Sequence, residues 1–276
     1  MIFYIIPSPI GNLDDFTIRA INTISKLDFL VVENKSSAQK LLKKYNLSVP
    51  KIIIYNDHSS EKDRTKILNL LMSEGVGGII SEAGTPLISD PGFKLISQLI
   101  VKGVKIIPLP GPTSVIPALV ASGLPTDKFQ FFGFLPRKNN EIKKTLNDCL
   151  KFNGTSIFFE SPHRVISTLE TIDEIFGDEV DICLAKEISK LHEIFLRGTA
   201  RKILLDFEKN KDLSKGEFIL LLDLNDSNKD MSTADKLFDM LEAKLSIKEI
   251  AKVSSQVTGI NKNFLYDRFL SFSKKT

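Results

Sequence analysis

Short apolar runs alternate with amphipathic segments of helical length along the first part of the chain. The runs are rich in Ile, Val and Phe, and the segments between them repeat apolar residues at helical spacing, as at Ile67, Leu70 and Leu71. The pattern predicts strands at residues 2–6, 29–33, 52–55, 76–81 and 104–108, and helices at residues 17–25, 36–45, 61–73, 93–102 and 114–122. Because these strands are apolar on both faces, we expect a largely parallel sheet covered by helices, with ligands at the carboxyl ends of its strands.

A second series begins after the sequence GLPTDK at residues 123–128. It predicts strands at residues 129–134, 155–160, 181–185, 193–197 and 217–223, and helices at residues 140–151, 165–176 and 200–209. A polar stretch, LNDSNKDMS, then precedes a helical end with a capping box at Ser246 and Glu249 and a turn at Gly259. The expected organisation is an α/β domain at residues 1–123, a second α/β domain at residues 124–225, and a helix-turn-helix-like module at residues 230–276.

Composition narrows the class of protein. The chain has 276 residues, of which 42% are hydrophobic and 26% charged. Its 15 Gly and 12 Pro are close to average usage, so collagen-like, low-complexity and disordered classes are excluded. Its two cysteines, Cys149 and Cys183, provide no disulfide framework, and no Cys/His cluster has metal-ligand spacing. The apolar stretch at residues 1–6 ends at Pro7, too short for a signal peptide or a membrane span. We therefore expect a cytoplasmic protein with no metal and no membrane attachment.

The net charge of +3 is unevenly distributed. Residues 228–276 contain nine Lys/Arg and six Asp/Glu, which leaves 28 of each for the rest of the chain (37 minus 9 and 34 minus 6). The whole excess therefore lies in the C-terminal segment. Such an excess suggests an anionic partner, although solvated helix faces often carry one as well.

Four loops combine glycine and proline with polar residues at predicted strand ends. They are PSPIGNLDD at residues 7–15, SEAGTPLISDPG at 81–92, PLPGPTS at 108–114 and ESPHR at 160–164. None matches the GxGxxG or GxxxxGK[ST] pattern, which argues against a pyrophosphate ligand. Rigid loops with backbone groups and side-chain oxygens suit a neutral or cationic small molecule, of which S-adenosylmethionine is an example. For the first loop, a tight turn with no ligand is the alternative.

Further motifs occur in a fixed order with these loops. They are IGNLDDFTIRA at residues 10–20, SGLP at 122–125, FFGFLPRK at 131–138 and KEISKLHE at 186–193. The ordered set resembles the bacterial 16S rRNA (cytidine 1402, 2'-O) methyltransferases, a branch of the tetrapyrrole methylase or class III methyltransferase superfamily. The resemblance implies two α/β domains with S-adenosylmethionine in the interdomain cleft, a homodimer, and 16S rRNA within the small ribosomal subunit as the substrate.

The resemblance also implies which residues bind the cofactor. They belong to the loops that follow strands of the first domain, and in this chain they are Pro9, Gly11, Ser81, Glu82, Ala83, Gly84, Thr85, Ile88, Gly111, Pro112 and Ser114. Two positions depart from the family pattern, which usually has Asp in place of Glu82 and Asp-Thr-Arg in place of Asn34, Lys35 and Ser36. The second departure removes a carboxylate and an arginine, so a contact of that loop with cofactor or RNA is in doubt.

Methyl transfer from a sulfonium requires alignment of the reactants and exclusion of water, and a weak ribose nucleophile benefits from a positioned base. The candidate catalytic residues lie in ESPHR and KEISKLHE, and they are Glu160, His163, Arg164, Glu187 and Lys190. No unique base is singled out among them. The structural alternatives are a capping or packing role for His163, and a salt-bridged strand and turn at KEISKLHE, where a continued strand would point Glu187 and Lys190 to opposite sides.

Other features have simpler interpretations. His58 lies in a polar connection where exposure is the default, and the 19 phenylalanines, with no tryptophan, fit a core better than a base-stacking surface. The cations at positions 137, 138, 143 and 144 suit either RNA phosphates or a solvated helix face.

Two other functions remain open. One is a tetrapyrrole or other small-molecule methyltransferase of the same superfamily. The other is a metabolite-sensing protein that binds nucleic acid through its terminal helices, although the last of these has only Lys262 and Arg268 as cations.

Overall fold

The structure is a computed structural model that describes residues 1–150, 152, 154–224, 231–260 and 262–273. The chain divides into two compact units, the first made of residues 1–116 and 188–191, the second of residues 117–187 and the chain from 192 onward. The three-part division at residues 123 and 230 remains a prediction. Most of the polar stretch at residues 224–232 lies outside the described residues.

The first unit contains a five-stranded parallel sheet, as the sequence pattern predicts. Its strands lie in the order β3-β2-β4-β1-β5, and every neighbouring pair is parallel. The strands are β1 (Ile2–Ile6), β2 (Phe29–Val32), β3 (Lys51–Ile54), β4 (Val76–Ile80) and β5 (Lys105–Pro108). The helices between them are α1 (Ile18–Ile24), α2 (Lys35–Lys44), α3 (Glu61–Glu74) and α4 (Phe93–Val101).

Alternate residues of these strands enter two separate cores. On one face of β2, Phe29 and Val31 pack in the cluster that contains residues of α3 and α4. On the other face, Leu30 and Val32 join Ala20 and other residues of α1. Burial on both faces explains the unbroken apolar runs, and it leaves only the loops at the strand ends free to bind a ligand.

Helix α5 (Val115–Ser122) leads into the second unit and its mixed sheet. The strands β6 (Phe129–Phe134), β7 (Thr155–Glu160), β8 (Asp181–Lys186), β9 (Ile194–Gly198) and β10 (Phe218–Asp223) lie in the order β6-β7-β10-β8-β9. Only β6 and β7 pair in parallel, and the other pairs are antiparallel. The helices are α6 (Asn139–Cys149), α7 (Val165–Phe176) and α8 (Ala200–Lys209).

Strand β8 ends at Lys186, so the continuation of a strand through KEISKLHE is wrong. Glu187 and Ser189 have φ angles of 53° and 68°, in the left-handed region, and the segment is a loop. Two left-handed positions within three residues are incompatible with an extended strand.

The terminal helices are α9 (Met231–Leu241), α10 (Ile247–Thr258) and α11 (Lys262–Ser273). The predicted capping box at Ser246 and Glu249 is confirmed, and Gly259 ends α10 in the left-handed conformation with a φ of 74°. Ile250 and Phe269 belong to the same buried cluster as Leu169 of α7. These helices therefore share the core of the second unit and do not pack as an independent body.

No helix within the described ranges has both the length and the apolar character needed to cross a membrane.

Candidate functional site

The three loops that follow β1, β4 and β5 meet at the carboxyl edge of the first sheet, which is defined here by residues 7–15, 81–92 and 108–114. The backbone N–H of Ser8 donates to Gly84 O at 2.9 Å, and Gly84 N–H donates back to Ser8 O at 3.0 Å. Thr85 Oγ1 donates to Pro112 O at 3.0 Å. The first loop is thus bonded to the second and the second to the third. The structure brings together the loops that the sequence assigned to the cofactor.

Two glycines of this edge are required by the way the loops pack. Gly84 is buried and has a φ of 76°, a conformation that favours glycine. A Cβ atom on Gly111 would lie 2.9 Å from Pro7 Cβ, closer than real Cβ contacts. These glycines therefore let the loops pack against one another, and this packing role does not depend on a ligand.

The second loop also contains backbone strain that the sequence pattern does not indicate. Leu87 and Ser89, which are not glycines, have φ angles of 73° and 63°. Residues in this region cost of order 1–3 kcal/mol each and persist only where the surrounding structure holds them. Because such strain concentrates at binding and catalytic sites, it supports a functional role for residues 81–92.

Four carboxylates interact at the same edge. Asp90 Oδ2 is buried and has no hydrogen-bond partner among the described residues. Burial, and then the charge of Glu33, raises the pKa of Asp90 to about 6, with smaller raising contributions from Glu82 and Asp57 and a lowering contribution from the nearby Ser81 side chain. Burial also raises the pKa of the Glu33 carboxyl.

Cations do not offset this charge. In the described ranges, the ion pairs of the structure involve none of these four carboxylates. No group of three or more His, Cys, Asp and Glu side chains within those ranges is arranged to hold a metal ion.

The segment in which this chain departs from the family pattern lies beside the cluster. Asn34 caps helix α2, and its side-chain oxygen accepts a hydrogen bond from Ser36 N at 2.9 Å. Ser37 Oγ donates to Glu82 Oε1 at 2.7 Å. In this chain Asn34 therefore starts a helix, and Ser37, the residue that follows the departing segment, orients the Glu82 carboxylate.

The predicted cofactor residues differ in accessibility. Pro9, Ser81 and Gly84 are buried, and Thr85, Pro112 and Ser114 are half-buried. The exposed members of the set are Gly11, Glu82, Ala83, Ile88 and Gly111. The exposed group is the part of the edge that a ligand can reach directly.

The two candidates from KEISKLHE lie in different units. A Cβ atom on Gly11 would overlap the Lys190 side chain, so Lys190 covers the first loop within the first unit. Glu187 belongs to the second unit, where its Oε1 accepts from Glu217 N at 2.8 Å and its own N–H donates to Glu217 O at 3.0 Å. The spacing in the sequence does not reveal this division.

ESPHR forms a buried polar cluster at the end of β7. Glu160 Oε1 accepts from Ser161 N at 2.7 Å and pairs with Arg164 Nη2 at 2.7 Å. Its Oε2 accepts from Thr168 Oγ1 at 2.7 Å. Both carboxylate oxygens are therefore occupied. The His163 side chain, in contrast, is exposed and makes no hydrogen bond with any described residue.

Comparison with known proteins identifies the family. The sequence profile described as Tetrapyrrole (Corrin/Porphyrin) Methylases matches residues 3–204. The chain belongs to this family. Its relatives include two proteins named Ribosomal RNA small subunit methyltransferase I. That of Buchnera aphidicola subsp. Baizongia pistaciae is 38% identical over 96% of this chain and 92% of the relative. That of Rickettsia prowazekii is 40% identical over 99% of this chain and 93% of the relative.

Solved structures support the family fold. A diphthine synthase superimposes with a TM-score of 0.63 at 11% identity, over 80% of this chain and 89% of the other. Uroporphyrin-III C-methyltransferase of Thermus thermophilus, complexed with S-adenosylhomocysteine, has a TM-score of 0.52 at 14% identity, over 80% and 97%. The expected tetrapyrrole methylase fold is confirmed.

Proposed function

We propose that this chain is an S-adenosylmethionine-dependent methyltransferase that methylates the ribose 2'-hydroxyl of cytidine 1402 in 16S rRNA, within the small ribosomal subunit. Support comes from the relatives named Ribosomal RNA small subunit methyltransferase I, which align with nearly the whole chain. The observation that carries the proposal is the carboxyl edge of the first sheet, where three tied loops and four coupled carboxylates follow the strand ends.

The residues present at this edge fit the cofactor. S-adenosylmethionine carries a positive sulfonium and a positive ammonium group, and an unpaired, buried oxygen of Asp90 lies among like charges there. A cation lowers the cost of such a cluster by direct attraction. We assign binding to Pro9, Gly11, Ser81, Glu82, Ala83, Gly84, Thr85, Ile88, Gly111, Pro112 and Ser114.

The cofactor and the protein contribute different parts of the reaction. When bound, S-adenosylmethionine supplies the methyl group from its sulfonium. The three loops, tied by the Ser8–Gly84 and Thr85–Pro112 hydrogen bonds, fix the site in advance so that little ordering is needed during transfer. The stem of Lys190 covers the first loop.

We assign the general-base role to His163. It is the exposed member of the ESPHR cluster, and a positioned base contributes about 10²- to 10⁴-fold to such a transfer. Glu160 and Arg164 are bonded to each other and to neighbouring segments. They act as positioning residues for the turn that carries His163. Glu187, held by Glu217, positions the loop that leads to Lys190.

A homodimer in the cytoplasm completes the proposal. Helix α4 exposes Phe93, Ile100 and Val101, an apolar face that fits a second copy, and a two-fold dimer is the commonest closed symmetry. Burial raises the pKa of both free thiols, Cys149 and Cys183, to about 11, so they stay protonated and suit a reducing compartment.

The test compares three acceptors with tritiated S-adenosylmethionine: small ribosomal subunits that lack the modification, free 16S rRNA, and a tetrapyrrole. We expect transfer to the ribosomal substrate, with 2'-O-methylcytidine as the product identified by mass spectrometry of the digested RNA. Transfer to the tetrapyrrole alone would support the small-molecule alternative. Cofactor binding without transfer to any acceptor would favour a metabolite sensor.

A further inference from the structure

Strand β6 presents aromatic side chains to solvent at the edge of the second sheet. It pairs with β7 alone, and Phe129, Phe132 and Phe134 are 43%, 42% and 58% exposed. The sequence pattern favours a core role for most of the 19 phenylalanines, but these three rings are exposed. Phe129 and Phe134 are in register with Thr155 and Phe159 on one side of β7, whereas Phe132 stacks on Phe158 on the other side. A single exposed apolar residue needs no explanation, but two exposed rings on the same side of one six-residue edge strand indicate a binding surface.

The rings are held in place by phenylalanines of the neighbouring strand. Phe131 and Phe134 pack edge-on against Phe159, with ring centroids 4.8 and 5.4 Å apart. Phe132 stacks on Phe158 at 5.0 Å with an interplanar angle of 10°. Because these contacts fix the rings, a partner that binds them loses little free energy in ordering them.

The strand is not shaped to accept a further strand. Its pairing with β7 shifts register between Phe131 and Phe134, and Gly133 has a φ of 72°. A bulge of this kind disrupts the hydrogen-bonding ladder and protects an edge from strand addition. The surface therefore offers its side chains to a partner, and its backbone is poorly suited to binding one.

Positive charge flanks the aromatic residues. Residues 127–144 contain five Lys/Arg and two Asp/Glu, an excess of three. Lys128 and Arg137 are exposed, and Lys138 is paired only loosely with Glu141, at 3.5 Å between two exposed side chains. Such a surface pair contributes little and is readily exchanged for a phosphate. A second copy of the chain, joined through the same surface by two-fold symmetry, would place this excess against itself, so the charge favours an anionic partner.

The ESPHR cluster holds the end of this strand in place. Arg164 Nη1 donates to Leu135 O at 3.0 Å and to Pro136 O at 3.1 Å, and Nη2 of the same guanidinium pairs with Glu160 Oε1 at 2.7 Å. The buried ion pair thereby fixes the point from which Arg137 and Lys138 leave the strand.

We infer that this surface binds single-stranded RNA, with bases stacked on the rings and phosphates held by the cations. We name it the aromatic edge, and its residues are Lys128, Phe129, Phe134, Arg137 and Lys138. The inference rests on the proposed function, because a ribose inside a ribosomal subunit must be presented on an accessible strand. Base stacking on aromatic side chains combined with basic residues is the common way in which proteins hold such strands.

The test measures the binding of a fluorescein-labelled oligocytidylate to the full-length protein by fluorescence anisotropy. Phe134→Ala should raise the Kd about 5- to 100-fold, and Phe134→Leu should behave like it, because stacking needs a ring. Phe134→Tyr should retain affinity. Arg137→Gln should reduce the slope of log Kd against log salt concentration by the contribution of about one phosphate contact. Met72→Ala serves as the control, since Met72 is 64% exposed but lies on α3 in the first unit.

Unchanged RNA affinity in Phe134→Ala overturns the inference, and a simultaneous change from dimer to monomer in sedimentation would show that the edge joins two copies. If Phe134→Leu binds RNA with wild-type affinity, the contact needs only an apolar side chain, and the inferred base stacking is wrong. Calorimetry with S-adenosylmethionine verifies that each variant is folded. If the wild-type protein binds the cofactor but neither binds RNA nor methylates subunits, the proposed function fails as well. If wild type methylates subunits while Phe134→Ala binds RNA normally, the inference alone fails.

Discussion

Asp90→Asn removes a carboxylate that the fold surrounds with other carboxylates. Asp90 Oδ2 is buried without a partner among the described residues, and Glu33, Glu82 and Asp57 all raise the pKa of the Asp90 carboxyl. Asparagine has nearly the same shape and no charge. The substitution therefore tests whether the ionised Asp90 carboxylate destabilises the folded protein.

The direction of the pKa shift determines whether the Asp90 carboxylate stabilises or destabilises the folded protein at a given pH. The folded-state pKa of Asp90 is raised from 3.8 to about 6. The protonated carboxyl thus contributes stability that is fully present below about pH 3.8 and is lost as the pH rises through about 6. At neutral pH the ionised Asp90 carboxylate destabilises the fold, and the neutral asparagine of the variant does not.

The magnitude follows from the same shift. A shift of about 2 pKa units corresponds to about 3 kcal/mol at most. Asp90 is only half-buried, so solvent screening reduces the expected gain to about 1–2 kcal/mol. In a unit of this size, that gain raises the Tm by about 2–8 °C.

The assay is thermal and urea unfolding of the two proteins at pH 5.0 and pH 7.5. The stability difference, variant minus wild type, should increase by about 0.5–1 kcal/mol between the two pH values, because about half of the total effect is already present at pH 5.0. Asp57→Asn removes one of the facing charges and should show a smaller change of the same sign, whereas Asp127→Asn, an exposed carboxylate of the second unit, should show none. A difference that is the same at both pH values, or that favours wild type at pH 7.5, would refute the reasoning.

Other predictions concern the cofactor, the base and the terminal helices. Binding of S-adenosylmethionine at pH 6 should release protons, because a cation lowers the pKa of Asp90; calorimetry in two buffers of different ionisation enthalpy that shows no release would place the positive centre elsewhere. Gly111→Val should weaken cofactor binding by about tenfold or more, since its side chain would collide with Pro7, and normal affinity in a folded variant would remove the third loop from the site. His163→Ala should slow single-turnover transfer about 10²- to 10⁴-fold with the cofactor Kd unchanged, and a wild-type rate would exclude the base role. Deletion of the chain from residue 231 should destabilise the second unit because it uncovers shared core; a truncated protein with wild-type unfolding behaviour would contradict this.

Local patterns in the sequence determined the secondary structure and the arrangement of the loops. Burial on both faces follows from runs such as residues 29–32, and capping side chains at Thr17 and Ser246 mark helix starts that the structure confirms. The order of strands and loops also predicted that residues 7–15, 81–92 and 108–114 would share one edge, because parallel strands end on the same side of a sheet. These properties depend on residues close together along the chain or on a general rule of topology.

Tertiary structure alone decided what the individual side chains at these places do. Glu160 and Arg164 were recognised as an acid and a cation on one turn, but only the fold shows that they are bonded to each other and hold the end of β6. The raised pKa of Asp90 depends on carboxylates that follow three different strands, and the exposure of Phe134 depends on β6 being an edge. Periodicity records which side of an element is apolar. It does not record which distant element lies against that side, and burial, charge coupling and hydrogen bonding are set by those distant neighbours.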